Sequence, residues 1–312
     1  MDHARVTIDS DILPRFTACY LRIAGDDCAF IETHTAHALP RLLAALEANR
    51  KRPEDVRFII VTHAHLDHAA GAGALLASCP NATVVAHPRT AKHLVDPEKL
   101  VTGARVVYGD KFDALYGEVK PIPKERVVSL DDGASISLGD AKLTAWHTYG
   151  HAFHHFIVDD PTLDTVYTGD TYGLVYPALQ TYGRFALPST SPTGFDAVEA
   201  RKSIAKVQSL GRSVVCPTHF DGWREVAEIG AQIGRFIDRA GTWVDEAAKT
   251  DDPIDVIESR LVEQWWRAIA EEAPQFGEAE KKLLELDVKL NAQGLAYAAD
   301  ATRKSSRSQS KS

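Results

Sequence analysis

No stretch of this 312-residue sequence approaches the roughly 20 consecutive apolar residues that a membrane helix requires. Met1 to Ser10 also lack the apolar run that opens a signal or transit peptide. Neither a membrane partner nor export is expected. Basic charge is scarce, with 35 Lys and Arg against 43 Asp and Glu and a net charge of −8. A nucleic-acid binder ordinarily presents a basic surface, so no nucleic-acid partner is expected. The four cysteines, Cys19, Cys28, Cys79 and Cys216, include no CxxC pair. In a chain of this length they read as reduced core thiols of a cytoplasmic protein, with a Cys19–Cys28 bridge across a hairpin as the minor alternative. There is no glycine-rich phosphate loop, no flavin-binding or rubredoxin-like segment and no internal repeat.

What is present is ordinary globular material, 45% hydrophobic and 25% charged. The length suits one large domain with an appendage, or two domains. Phe16 to Ile23 and Cys28 to Glu32 flank Gly25-Asp26-Asp27, a hairpin signal. Leu42, Leu43 and Leu46 predict a helix over 39–49. Val56 to Thr62 is a near-continuous apolar run, the mark of a strand buried on both faces. A helix over 70–79, a strand over 82–86 and a helix over 88–94 follow, and 96–124 reads as loops with short helices. Strands are expected at 127–130, 134–138, 142–147, 155–159, 165–168 and 214–216, with a helix at 195–209. After Trp223 the pattern becomes helical, over 225–249, 254–272 and 278–291. The expected division is therefore a domain over 1–223, a helical extension over 224–300 and a disordered Ser/Lys/Arg-rich tail over 301–312.

Chemistry concentrates at His63-Ala64-His65-Leu66-Asp67-His68, directly after the buried strand. Imidazole and carboxylate are natural ligands of zinc and similar divalent ions. A turn leaving a strand can aim alternate side chains into one cavity. A histidine-rich surface turn is the bland alternative, and this density of donors argues against it. His151 after Tyr149-Gly150, Asp170 after Thr168-Gly169 and His219 after Pro217-Thr218 each follow a short apolar run. One such histidine would more often be structural. Their joint occurrence favours a shared site.

The strings THAHLDH, HTYGHA, TGD and PTHF, in that order, resemble the ligand set of the metallo-β-lactamase superfamily. The likeness runs from about Phe16 to Phe220 and is nearer to the glyoxalase II-like and general hydrolase branch than to true β-lactamases. The resemblance implies a four-layer αββα sandwich, here with a C-terminal helical extension. It also implies a dinuclear centre of two divalent ions, zinc by preference and iron or manganese as alternatives. His63, His65 and His151 would hold one ion, Asp67, His68 and His219 the other, and Asp170 would bridge them. The implied activity is hydrolysis of an acyl carbonyl in a thioester, lactone or related ester or amide by metal-activated hydroxide, with Asp67 as proton carrier. A phosphodiesterase or nuclease of the same fold, or a non-catalytic metal-containing ligand-binding module, are the alternatives.

The chain also departs from the pattern. Glu32 stands where many members have an aspartate, and His34 occupies a glycine-like position, which makes His34 a candidate to support the metal ligands or contact substrate, with a surface-turn histidine as the plainer reading. His154 and His155 are additional, one expected to point toward the metals as a hydrogen-bond donor and the other to pack, with His154 a candidate substrate contact. Residues 171–192 form a Tyr- and Pro-rich insert expected to cover or line the site, with Tyr172 and Tyr176 weighed as substrate contacts or as packing. The helical tail has no basic cluster suited to glutathione. A lid, or a homodimer contact through Trp265, Trp266, Leu283, Leu284 and Leu286, are its other expected roles, with packing on its own domain as the plainest one.

Overall fold

Strand β2 (Ala18–Ala24) shows how the chain partitions its surfaces. Cys19, Leu21 and Ile23 enter one apolar core, while Ala18, Tyr20 and Ala24 enter another. Successive strand side chains point to opposite faces, so one strand serves both. Because both faces are covered, β2 is apolar nearly throughout rather than alternating.

The computed structural model describes residues 2–9 and 14–309. In the first sheet β2 lies with β1 (His3–Asp9), β3 (Asp27–Ile31), β4 (Val56–Val61), β5 (Thr83–Ala86) and β6 (Val127–Ser129), in the order β1-β2-β3-β4-β5-β6. The pairs β1–β2 and β2–β3 are antiparallel, and β3 to β6 run parallel. The second sheet has the order β11-β10-β9-β8-β7, from β7 (Ser135–Leu138), β8 (Ala141–His147), β9 (Phe156–Asp160), β10 (Thr165–Leu174) and β11 (Val214–His219). Tyr20, Ile31 and Ile60 of the first sheet share a core with Leu143, Phe156 and Tyr167 of the second, so the sheets pack face to face. The other face of the first sheet packs Leu21, Phe30 and Ile59 on Leu42 and Leu46 of α1 (Leu39–Ala48) and Leu75 of α3 (Ala72–Ser78). Between them in sequence lies the one-turn helix α2 (Leu66–Ala69), and α4 (Pro88–Val95), α5 (Glu98–Tyr108) and α6 (Phe112–Tyr116) follow. Arg22 is the charged exception on β2. Its guanidinium is fully buried, and its Nε meets Asp160 at 2.5 Å.

The chain divides into two compact units: Met1–His147 with His154–Gly169 and Leu210–Arg224, and Thr148–Phe153 with Asp170–Ser209 and Glu225–Ser312. The second contains α7 (Ala197–Ser209), α8 (Val226–Ala248), α9 (Ile254–Glu272) and α10 (Glu278–Gln309). Its core is aromatic: Trp265 lies 5.3 Å from Trp243 and 5.9 Å from Phe236, ring centre to ring centre. Trp265 and Leu284 are fully buried there, Trp266 and Leu283 are partly buried, and Leu286 is exposed.

Several expectations are corrected. The first strand, β1, is not among the expected strands, yet it pairs along β2 over its whole length. Strand β10 runs to Leu174, well into the segment read as an insert. Helix α10 continues to Gln309 through most of the expected disordered tail. Arg303 holds it by donating to the carbonyls of Thr250 and Asp252, and Asp300 pairs with Arg303 at 2.7 Å and Lys304 at 2.6 Å. Ser310 to Ser312 lie outside the described residues. The region 96–124 is more helical than expected. The four cysteines are free and buried, in agreement with their reading as reduced core thiols.

Candidate metal centre

The first unit gathers His63, His65, Asp67, His68 and His219. The buried strand β4 delivers His63 at its end, and the chain then turns into α2, with His65 at its N-cap. Asp67 and His68 lie on that turn of helix. His219 is the last residue of β11. The histidine rings are close packed: His63 is 4.5 Å from His65 and 4.0 Å from His68, and His68 is 5.7 Å from His219.

The donors of Asp67, His68 and His219 lie within 4.8 Å of one another. Asp67 Oδ2 is 3.6 Å from His68 Nε2 and 3.5 Å from His219 Nε2. Tetrahedral donors at about 2.0 Å from a zinc ion stand roughly 3.3 Å apart, so this spacing suits a small divalent cation. The opposite ring nitrogens are also prepared. His219 Nδ1 donates to the Phe16 carbonyl at 3.2 Å, and Glu32 Oε1 lies 3.3 Å from His68 Nδ1. Engaging Nδ1 leaves the Nε2 lone pair for a metal.

Glu32 is the residue whose role sequence reading left open. It is buried at 1% exposure, and its carboxylate accepts from the Thr62 hydroxyl and from that of Thr218 at 3.3 Å. Thr62 Oγ1 in turn lies 3.1 Å from His63 Nδ1. One carboxylate thus anchors two metal-facing imidazoles. Glu32, His63 and His68 also present donors within 4.8 Å of one another. Both threonine hydroxyls reach one oxygen, Oε1, and the Thr62 N–H approaches Oε2 at 3.5 Å, so the carboxylate is held in place as a tether for the two imidazoles.

His154 is half-buried, and its Nδ1 accepts the Ala64 backbone N–H at 3.3 Å. Its ring lies 5.7 Å from that of His65, edge to face. His155 is buried, 4.9 Å from His63. A side chain on Gly169 would come within 2.4 Å of His155 Nε2 and 2.6 Å of Thr62 Oγ1, so only glycine leaves them room. His34 is buried. Burial lowers its pKa to about 4, while Asp67 pulls the other way and His68 and His219 add to the lowering. Tyr108 and Tyr116, on α5 and α6, carried no sequence signal. Their hydroxyls bond to each other, burial raises both pKa values, and Asp67 adds to the rise.

The second unit holds His151 and Asp170. His151 Nδ1 donates to the Ser189 carbonyl at 3.0 Å, and its Nε2 lies 3.4 Å from Asp170 Oδ2. Asp170 sits inside β10 rather than beyond a strand end. Both line a small cavity with Tyr149, Thr171, Ser189 and Ser203. Tyr172 and Tyr176 are fully buried in this unit, with hydroxyls on the Val226 carbonyl at 3.1 Å and Asp287 Oδ1 at 3.3 Å. Packing, the second of the two roles weighed for them, is what the structure shows. Their place in β10 and in the turn after it directs them inward.

Two facing sheets carrying clusters of histidine and carboxylate donors define a scaffold suited to divalent metal. The chain belongs to the metallo-beta-lactamase superfamily, whose family model matches residues 12–219. Among solved structures it is similar to the archaeal superfamily protein ST1585 from Sulfolobus tokodaii, at 19% identity and a TM-score of 0.65 over 95% of this chain and 99% of that one. It is also similar to the family protein TTHA1429 from Thermus thermophilus, at 15% identity and a TM-score of 0.64 over 96% and 94% of the two chains. A B3 metallo-beta-lactamase described as the first with an active-site glutamic acid aligns at 18% identity and a TM-score of 0.53, over 76% of this chain and 87% of that one. At these identities the likeness is one of fold. No curated protein matches the sequence. Among the described residues no helix is long and apolar enough to cross a membrane.

Proposed function

We propose that this chain is a dinuclear-metal-dependent hydrolase acting on an acyl carbonyl, in a thioester, lactone or related ester or amide. In this reading Asp67, His68 and His219 hold one ion, His63, His65 and His151 the other, and Asp170 is shared. The observation that carries it is the convergence of His68 Nε2 and His219 Nε2 on Asp67 Oδ2 at 3.6 and 3.5 Å, with His219 Nδ1 bonded to the Phe16 carbonyl and His68 Nδ1 beside Glu32 Oε1. The His151–Asp170 pair supports it, being prepared in the same way through Ser189.

Two bound divalent ions supply Lewis acidity and lower the pKa of a water toward neutrality. The protein supplies the rest. Glu32 and Thr62 hold His63 and His68 in orientation, so no reorganisation is needed during reaction. The Asp67 side chain is 38% exposed, whereas that of His68 is fully buried. An exposed carboxylate at the edge of a buried imidazole set is placed to take the proton of the attacking water and pass it to the leaving group.

Metal analysis of purified protein, followed by turnover of thioesters, lactones, β-lactams and phosphodiesters, tests the proposal. Two metal equivalents and acyl turnover abolished by His65→Ala would support it. Turnover of bis(p-nitrophenyl) phosphate alone would replace it with phosphodiester hydrolysis. Ligand binding without turnover in metal-replete protein would replace it with a binding module.

A further inference from the structure

His34 stands where the main chain asks for glycine. Its φ is +55°, in the left-handed region that a residue with a Cβ adopts at a cost. The segment around it is bolted to α2. The Thr33 N–H and hydroxyl both donate to the His68 carbonyl, at 3.0 and 2.8 Å, and the Gly71 N–H donates to the His34 carbonyl at 2.9 Å. A side chain on Gly71 would approach the Thr33 and Thr35 carbonyls to 2.7 Å, so the contact is as close as glycine permits. None of these bonds uses the His34 ring. Glycine at 34 would satisfy every one of them without strain.

The ring carries two further costs. It is 2% exposed, and its Nδ1 has no hydrogen-bond partner among the described residues. Its electrostatic neighbours are Asp67, His68, His219 and His37, three of them proposed metal ligands. A strained backbone, a buried ring and an unpartnered nitrogen stabilise nothing in the fold by themselves. Such outliers persist where function uses them. The nearby Glu32, also at positive φ, is consistent with this, since its strained position serves the His63 and His68 tether.

We propose that His34 is a substrate-contacting residue, its imidazole hydrogen-bonding an oxygen of the acyl compound beside Asp67, His68 and His219. This rests on the acyl-hydrolase reading. His34 takes no part in holding the metal. Its role is to orient the acyl group, and its loss falls mainly on substrate affinity.

The test compares wild type, His34→Gly and His34→Asn in the full chain. Glycine and asparagine both accept a positive φ, so neither adds backbone strain. Metal content, thermal midpoint of the metal-free protein, KM and kcat on the hydrolysed acyl ester, and calorimetric affinity for 2-mercaptoacetate are measured. The expected result is unchanged metal content, a midpoint that does not fall in the asparagine variant, and about a 10-fold rise in KM and weakening of 2-mercaptoacetate binding in the glycine variant. The asparagine variant should recover part of the loss. Unchanged KM and 2-mercaptoacetate affinity would overturn the proposal. So would loss of metal or of the thermal midpoint in both variants, which would make His34 structural. If wild type hydrolyses no acyl compound yet binds 2-mercaptoacetate more tightly than both variants, His34 stands as a ligand contact and the acyl-hydrolase reading fails.

Discussion

Glu32 Oε1 lies 3.3 Å from His68 Nδ1, and both side chains are buried. The same carboxylate accepts from Thr62, whose hydroxyl lies against His63. Partners of this kind typically contribute 10- to 100-fold to metal affinity. Glu32→Gln keeps the volume and removes the charge. It should weaken metal binding by roughly 10-fold or more, read by competition with a chromophoric chelator, while circular dichroism stays native. Wild-type affinity in the variant would refute the tether.

Asp67 is proposed both to ligate and to carry a proton. Asp67→Asn should lower bound metal from two equivalents toward one and reduce acyl turnover by about 100-fold or more. Metal stoichiometry and kcat, measured together, check this. Full metal content with full kcat would remove Asp67 from both roles.

The Arg22–Asp160 pair is fully buried between the sheets, on a strand that is otherwise apolar. Removing one partner leaves a buried charge uncompensated. Arg22→Met should destabilise the protein by about 3–5 kcal/mol in urea unfolding, and the double replacement Arg22→Met with Asp160→Leu should recover most of that loss. Equal destabilisation in the single and double variants would show that packing, not charge, sets the cost.

His87 caps α4, its Nδ1 accepting the Arg89 N–H at 3.0 Å, and its ring lies 4.2 Å from that of His147. Burial lowers its pKa from 6.5 to about 4, with His147 and Arg89 adding to the lowering. The folded state therefore favours the neutral ring, and unfolding in acid takes up a proton. The stabilisation is complete above pH 6.5 and is lost as the pH falls toward about 4. From about pH 7 to about pH 4.5 this contribution should fall by roughly 2 kcal/mol. His87→Asn retains a capping acceptor and should show a smaller loss over that range in urea unfolding. An identical pH dependence in the variant would exclude His87 as its source.

Much of this protein was legible in order along the chain. The apolar run over 56–62 announced a doubly covered strand because a sheet packed on both faces excludes polar side chains. The string from His63 to His68 announced metal chemistry because ligands on one turn must be close in sequence. What the sequence concealed was long-range. Strand β1 alternates polar and apolar residues over only seven positions, and its pairing with β2 became visible only in the fold. Tyr172 and Tyr176 carried the composition of a binding loop, yet β10 and the turn after it direct their rings into a core. Tyr108 and Tyr116 come near Asp67 only because α5 and α6 fold back over α2.

The sequence by itself determined which side chains can bind metal, because donor chemistry belongs to the residue: imidazole and carboxylate in a dense string, with further members in family order. The tertiary structure alone decided how those donors are held. Thr62 and Thr218 are 156 residues apart, yet both hydroxyls reach Glu32. A buried carboxylate needs partners, and which atoms meet it is settled when two strands close on one another, not by anything local in the chain.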